Sequence, residues 1–82
     1  MRHNLVVPEL GLGTRPITLS MWLVKRGARV TEGDRIVELA ADSVTVDLPA
    51  PASGTLIETL VAEEDEVHVG QVLGIIKGDE SS

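Results

Sequence analysis

Val30-Thr31-Glu32-Gly33-Asp34-Arg35-Ile36-Val37-Glu38-Leu39 and Val67-His68-Val69-Gly70-Gln71-Val72-Leu73-Gly74-Ile75-Ile76 carry one pattern twice, 37 residues apart. Both read apolar-x-x-Gly-x-x-apolar-x-x-apolar. The same shift brings Leu19 onto Leu56, Leu23 onto Leu60 and Val24 onto Val61, and the match breaks where Gly27 meets Glu64. Two copies are too few for a solenoid, which needs at least about three stacked units. They suit two interlocking halves related by a pseudo-two-fold axis, since neither half alone could bury its apolar face. Gly33 and Gly70 are then expected in equivalent turns whose backbone angles favour glycine.

Outward from the repeat, Val44-Thr45-Val46-Asp47-Leu48 alternates strictly, which marks a half-buried strand. Similar short runs occupy 5–7, 17–24, 36–39, 55–61 and 72–76. Turn residues separate them: Pro8, Gly11 and Gly13; Gly27; Gly33 and Asp34; Asp42 and Ser43; Pro49, Pro51 and Gly54; Gly70. Short strands punctuated in this way predict an all-β sandwich or barrel. Trp22 is the sole aromatic residue, so the core must be made of Val, Leu, Ile and Ala, a set rich in strand formers. The expected core includes Val44, Val46, Leu56, Leu60, Val67 and Leu73. Eighty-two residues make one domain.

Composition removes several function classes. With no cysteine there are no disulfides and no thiolate metal ligands. The net charge of −6 is uneven: residues 1–37 carry six basic and three acidic side chains, residues 38–82 one basic and ten acidic. Nucleic-acid binding needs a basic stripe and, for single strands, aromatic platforms; both are missing. No apolar run approaches the ~20 residues that span a bilayer, and no signal peptide is evident. The expectation is a soluble cytoplasmic or other intracellular module, monomeric, with neither a membrane nor a nucleic acid as partner. Gly11 and Gly13 are not followed by the Gly-Lys-Ser/Thr of a phosphate loop. Glu63-Glu64-Asp65-Glu66 reads as a solvated turn rather than a cation site, because consecutive carboxylates diverge. Ser43 as a catalytic nucleophile would need a base and an oxyanion hole, and the two histidines, His3 and His68, lie elsewhere in the chain. A small polar turn residue is the simpler reading of Ser43. Asp42 is expected to accept a backbone N–H two residues on.

The order of these segments resembles the lipoyl domain of 2-oxo-acid dehydrogenase acyltransferases, in the biotinyl/lipoyl carrier family. The resemblance lies in Pro8-Glu9-Leu10-Gly11, in Trp22 through Gly27, in the Val30–Glu38 repeat, in Asp42 through Gly54, and in Glu66 through Leu73. It spans residues 5 to 77. It implies a flattened barrel of two four-stranded antiparallel sheets with quasi-two-fold symmetry (a barrel-sandwich hybrid). It also implies a carrier with its cargo at one tip and its chain ends at the other. Residues 1–77 would form the domain and 78–82 the start of a linker or disordered tail.

The departure from the family lies at the turn. The family motif Glu-x-Asp-Lys, whose lysine amine takes lipoate as an amide, is Ala40-Ala41-Asp42-Ser43 here. Ser43 stands at the lipoyl-lysine position, flanked by Asp42 and Val44. In the family, Asp42's position also belongs to the motif read by the attaching enzyme. Lys25 and Lys77 are the only lysines and neither is at the turn; the biotin motif Met-Lys-Met is missing. A serine hydroxyl would give at best a labile ester and lacks the lysine stem. No cofactor is therefore expected on the chain as it stands, although lysine-bearing relatives carry lipoate. The implied function is a noncatalytic module of a dihydrolipoyl acyltransferase or related multidomain protein, with other components of a 2-oxo-acid dehydrogenase-type complex as partners. Two alternatives stay open: a protein–protein docking module that keeps the carrier fold, or a genuine lipoyl domain whose lysine has been exchanged for serine. A membrane-fusion adaptor would carry a helical hairpin inserted at the turn, and none is present.

Overall fold

The computed structural model describes residues 1–79. Among them are eight strands and no helix: β1 Arg2–Val6, β2 Ile17–Trp22, β3 Arg29–Val30, β4 Arg35–Ala41, β5 Val44–Pro49, β6 Gly54–Thr59, β7 Glu66–Val67 and β8 Val72–Gly78. They form two four-stranded antiparallel sheets, ordered β1-β8-β6-β3 and β5-β4-β2-β7. A shift of 37 residues carries β2, β3 and β4 onto β6, β7 and β8, and the outer strand β5 plays against β4 the part that β1 plays against β8. The molecule measures 42 × 20 × 18 Å.

The repeat holds at the level of single bonds. Gly27 N–H donates to Leu56 O at 2.6 Å and Glu64 N–H to Leu19 O at 2.7 Å. Leu56 N–H donates to Ala28 O and Leu19 N–H to Asp65 O, both at 2.9 Å. Each half thus hydrogen-bonds the central strand of the other, and this reciprocal crossing ties the two sheets together. Gly33 and Gly70 occupy matching turns, with φ of 94° and 89°. In each, the side chain one residue beyond the glycine closes the turn: Thr31 N–H donates to Asp34 Oδ2 and His68 N–H to Gln71 Oε1, both at 2.9 Å. The sequence match fails at Gly27 and Glu64, yet the backbone match does not. Their φ values are 93° and 78°, so a glutamate sits in a left-handed conformation that its partner fills with glycine.

Burial follows the same symmetry. Leu19, Ile36 and Leu39 of the first half and Leu56, Leu73 and Ile76 of the second are all within 1% of fully buried. Each contributes about 1.5–3 kcal/mol by leaving water. No polar or charged residue is buried among those described. Two expected core residues are not in the core: Val44 is 42% and Leu60 52% exposed. Val44 stands at the end of the β4–β5 hairpin on an outer strand; the inward face of β5 starts with half-buried Val46 and is complete at Leu48. Leu60 follows a bulge between Leu56 and Glu58 that reverses the side-chain parity. The matching bulge between Leu19 and Met21 leaves Leu23 exposed for the same reason.

Gly54, expected in a turn, opens β6. A Cβ there would lie 2.0 Å from the backbone oxygen of Lys77, so this glycine serves strand contact. Trp22 is half-buried over Gly74 and donates its indole N–H to Val61 O at 2.9 Å. The tail expected from residue 78 starts inside β8, which runs to Gly78. Asp79 N–H donates to Ser53 O, and its carboxylate pairs with the Arg29 guanidinium. Residues 80–82 lie outside the described part of the chain.

Candidate functional site

β4 and β5 form a hairpin joined by only Asp42 and Ser43, with Ala41 paired to Val44. The local sequence explains the tight reversal. Asp42 has φ of 54°, and Asp is one of the few residues that visit this region without glycine's freedom. Asp42, Ser43, Val44 and Thr45 are all exposed, while Ala41 on one side and Leu48 on the other are buried. The turn is thus a solvated tip on a rigid stem. From Ala41, β4 runs back about 20 Å at ~3.3 Å per residue. At its far end stand Val30, Gly54 and Gly78, paired in one row, with Gly78 N–H donating to Met1 O. The hairpin tip and the two described ends of the chain therefore occupy opposite poles of the long axis.

Among the described residues, the Asp42 carboxylate does not accept the backbone N–H two residues on, the hydrogen bond expected from the sequence. The carboxylate instead faces Arg15, Nε to Oδ2 at 3.5 Å, both side chains well exposed. Ser43 makes no side-chain hydrogen bond among the described residues. It contrasts with Ser53, whose Oγ accepts Glu32 N–H at 2.8 Å.

Arg15 comes from the 7–16 connection between β1 and β2, which the sequence reading did not link to the tip. Its counterpart between β5 and β6 is only residues 50–53. The halves share the ends of these loops: Gly70 N–H donates to Val7 O as Gly33 N–H does to Ala50 O. The extra residues carry Gly11 and Gly13 at φ of 70° and 64°, and Leu10 and Leu12 pack against the core. This loop and residues 66–69 border a shallow cleft of about 210 Å³ that includes Arg15, Glu66 and His68. The signal in sequence was the spacing from Val7 to Ile17 against Ala50 to Gly54.

The acidic run is less uniform than a solvated turn. Glu63 Oε2 accepts Trp22 N–H at 3.1 Å and Asp65 Oδ2 accepts Ala62 N–H at 3.2 Å. No cluster of three or more His, Cys, Asp or Glu capable of holding a metal occurs among the described residues. No helix among them is long and apolar enough to cross a membrane.

Comparison with known proteins agrees with this architecture. The family model described as "Biotin-requiring enzyme" matches residues 3–76. A dihydrolipoyllysine-residue succinyltransferase component of the 2-oxoglutarate dehydrogenase complex from Bartonella vinsonii is 35% identical over 82 residues, all of this chain and 20% of that protein. The corresponding Bacillus subtilis component is 40% identical over 70 residues, 85% of this chain and 17% of that protein. This chain therefore spans about a fifth or less of these relatives. Among solved structures, the lipoyl domain of the Azotobacter vinelandii 2-oxoglutarate dehydrogenase complex superposes with a TM-score of 0.73 at 28% identity, covering 92% of this chain and 96% of that one. Kluyveromyces lactis urea carboxylase shares the fold at a TM-score of 0.79 and 18% identity, over 94% of this chain and 6% of its own. With the repeat, the two sheets and the hairpin tip in agreement with these matches, the chain belongs to the biotinyl/lipoyl carrier-domain family.

Proposed function

We propose that this chain is a noncatalytic carrier-type module of a 2-oxo-acid dehydrogenase-type acyltransferase or related multidomain protein, with Ser43 at the position where lysine-bearing relatives hold lipoate. As it stands it is not lipoylated. The observation that carries the reading is the hairpin tip: a two-residue turn, exposed, at the pole opposite the chain ends, with a serine where an amide-forming amine would be needed. Lys77 lies in β8, paired with Arg2 at the other pole, and Lys25 lies in the connection after β2. Its partners are other components of such a complex, met through the tip and its flanking surface.

Lipoate, when attached to a lysine, supplies a disulfide that accepts and hands on acyl groups. What this chain supplies is the rigid stem, the exposed turn and the separation between cargo pole and chain ends. The test is gain of attachment. Ser43→Lys and Ala40→Glu/Ser43→Lys are incubated with a lipoyl ligase, lipoate and ATP, and their intact masses measured. The double variant is expected to gain one lipoyl group and the parent none. A lipoylated parent would place the site elsewhere. A folded double variant that stays bare would favour the docking module over the carrier tip.

A further inference from the structure

Resting on the reading of the tip as an attachment point, we propose that Ser43 Oγ accepts a phosphoryl-linked group from a phosphoanhydride donor, with Arg15 as its neighbouring cation. The first support is the state of the hydroxyl. It is exposed and makes no side-chain hydrogen bond, so the turn does not use it. The second is bond chemistry. An acyl group on a hydroxyl is an ester open to hydrolysis, whereas a phosphate ester carries negative charge that repels hydroxide, and it persists in water. A serine tip is thus suited to a phosphate-linked group and unsuited to a carboxyl-linked one.

The third support is Arg15. Its guanidinium lies at the tip, 3.5 Å from the carboxylate of the residue next to Ser43, and comes from the 7–16 loop, which is longer than the 50–53 connection of the other half. An exposed Arg–Asp contact of this length adds little to stability. Phosphate oxygens offer Arg shorter, charge-assisted and often bidentate bonds. A phosphoryl group on Ser43 would compete with Asp42 for that guanidinium and fasten the long loop to the turn.

The step balances without an oxidant. Ser43 Oγ forms a bond to phosphorus, the anhydride P–O bond breaks, and the hydroxyl proton passes to a base of the transferring enzyme, since no base is bonded to Ser43 here. With coenzyme A as donor, the product is a phosphodiester bearing a long thiol-ended arm, and adenosine 3′,5′-bisphosphate leaves. With ATP, it is a phosphate monoester and ADP leaves. The first restores an acyl-carrying thiol to the tip; the second makes the tip a charge switch.

The chain isolated from its own cells is digested, and the peptide holding Ser43 is read by tandem mass spectrometry. The added mass of phosphopantetheine or of phosphate supports the proposal and identifies the donor. In parallel, the purified chain and Ser43→Ala are incubated with Mg²⁺ and an extract of the same cells, with either coenzyme A or ATP. Transfer to the parent alone is expected. In the modified chain the Arg15 Nε–H resonance is expected to move while that of Arg26 stays in place. A bare Ser43 in the cellular protein, or equal modification of Ser43→Ala, overturns the proposal. If Ser43→Lys is lipoylated by a ligase while cellular Ser43 is bare, the tip assignment stands and the phosphoryl inference alone falls.

Discussion

Replacing Glu64 by glycine is expected to stabilise the protein, although it removes a side chain. Glu64 has φ of 78°, and its equivalent in the first half is Gly27 at 93°. Holding a residue with a Cβ in the left-handed region costs about 1–2 kcal/mol. Glycine is relieved of that cost but loses about 0.4–1 kcal/mol more to the freedom of the unfolded chain. The difference leaves a net gain of about 0.5–1 kcal/mol, which raises the melting temperature of a domain this size by roughly 2–8 °C. The backbone bond from Glu64 N–H to Leu19 O is preserved, so the inter-half crossing is untouched. Glu64 also adjoins Glu63 and Asp65, and loss of one like charge adds a small gain that salt should screen. Glu64→Ala separates the two effects, because it removes the charge and keeps the Cβ. Thermal melts of the parent, Glu64→Gly and Glu64→Ala at low and high salt make the comparison. If Glu64→Gly melts no higher than Glu64→Ala at high salt, the left-handed strain is not a real cost and the backbone symmetry argument at this position is wrong.

Other outcomes follow from the same geometry. Gly27→Ala should cost about 1 kcal/mol purely through its φ, since nothing lies within 4 Å of the added Cβ; urea midpoints of this variant against the parent check it. Gly54→Ala should be far worse, because its Cβ would lie 2.0 Å from the Lys77 oxygen; a folded variant of parent stability would refute the close strand contact. Leu56→Ala should cost about 2–5 kcal/mol, while Leu60→Ala, at an exposed position, should stay within about 0.5 kcal/mol; chemical denaturation of the pair tests the bulge-reversed parity. Arg29→Ala should loosen the end of β8, seen as faster amide exchange at Gly78 and Asp79. Asp79 holds the Arg29 pKa above its ordinary value, so the guanidinium is charged in both folded and unfolded chains at neutral pH. The contribution linked to the Arg29 titration is fully present below the unfolded arginine pKa and is lost as pH rises through the folded one in strong alkali, so melts between pH 6 and 9 should show no titration from Arg29.

The parts of this fold legible in sequence were those fixed by spacing. The apolar-Gly-apolar repeat located both central turns, and of the expected core residues Leu56, Val67 and Leu73 are fully buried, because glycine at positive φ and fully buried aliphatics tolerate few substitutes. The tip was legible because Asp42 and Ser43 are turn residues placed just before the alternating run 44–48. Features set by register were not. The bulges after Leu19 and Leu56 leave no residue-type signal, and they turned Leu60 from an expected core residue into a surface one. β3 and β7 are two residues each, too short for any periodicity. Asp42's contact with Arg15 joins residues 27 apart in sequence through a loop whose path spacing alone cannot give.

A structure built twice from one pattern makes its departures informative, because the shared physics of folding would be satisfied equally by keeping them identical. Three departures stand out. One is conformational: Glu64 holds at positive φ the position that Gly27 fills in the first half. The second is topological: ten residues join β1 to β2 where four join β5 to β6. The third is the pole itself, where a closed hairpin at residues 42–43 answers to the two described ends of the chain on the other side. The second and third converge, since the long loop places Arg15 against the closed tip. Core packing accounts for Leu10 and Leu12 of that loop, but not for the exposed contact of Arg15 with Asp42. The attachment proposed at Ser43 would give that contact a use, since the Ser43 hydroxyl is exposed beside it and makes no side-chain hydrogen bond among the described residues.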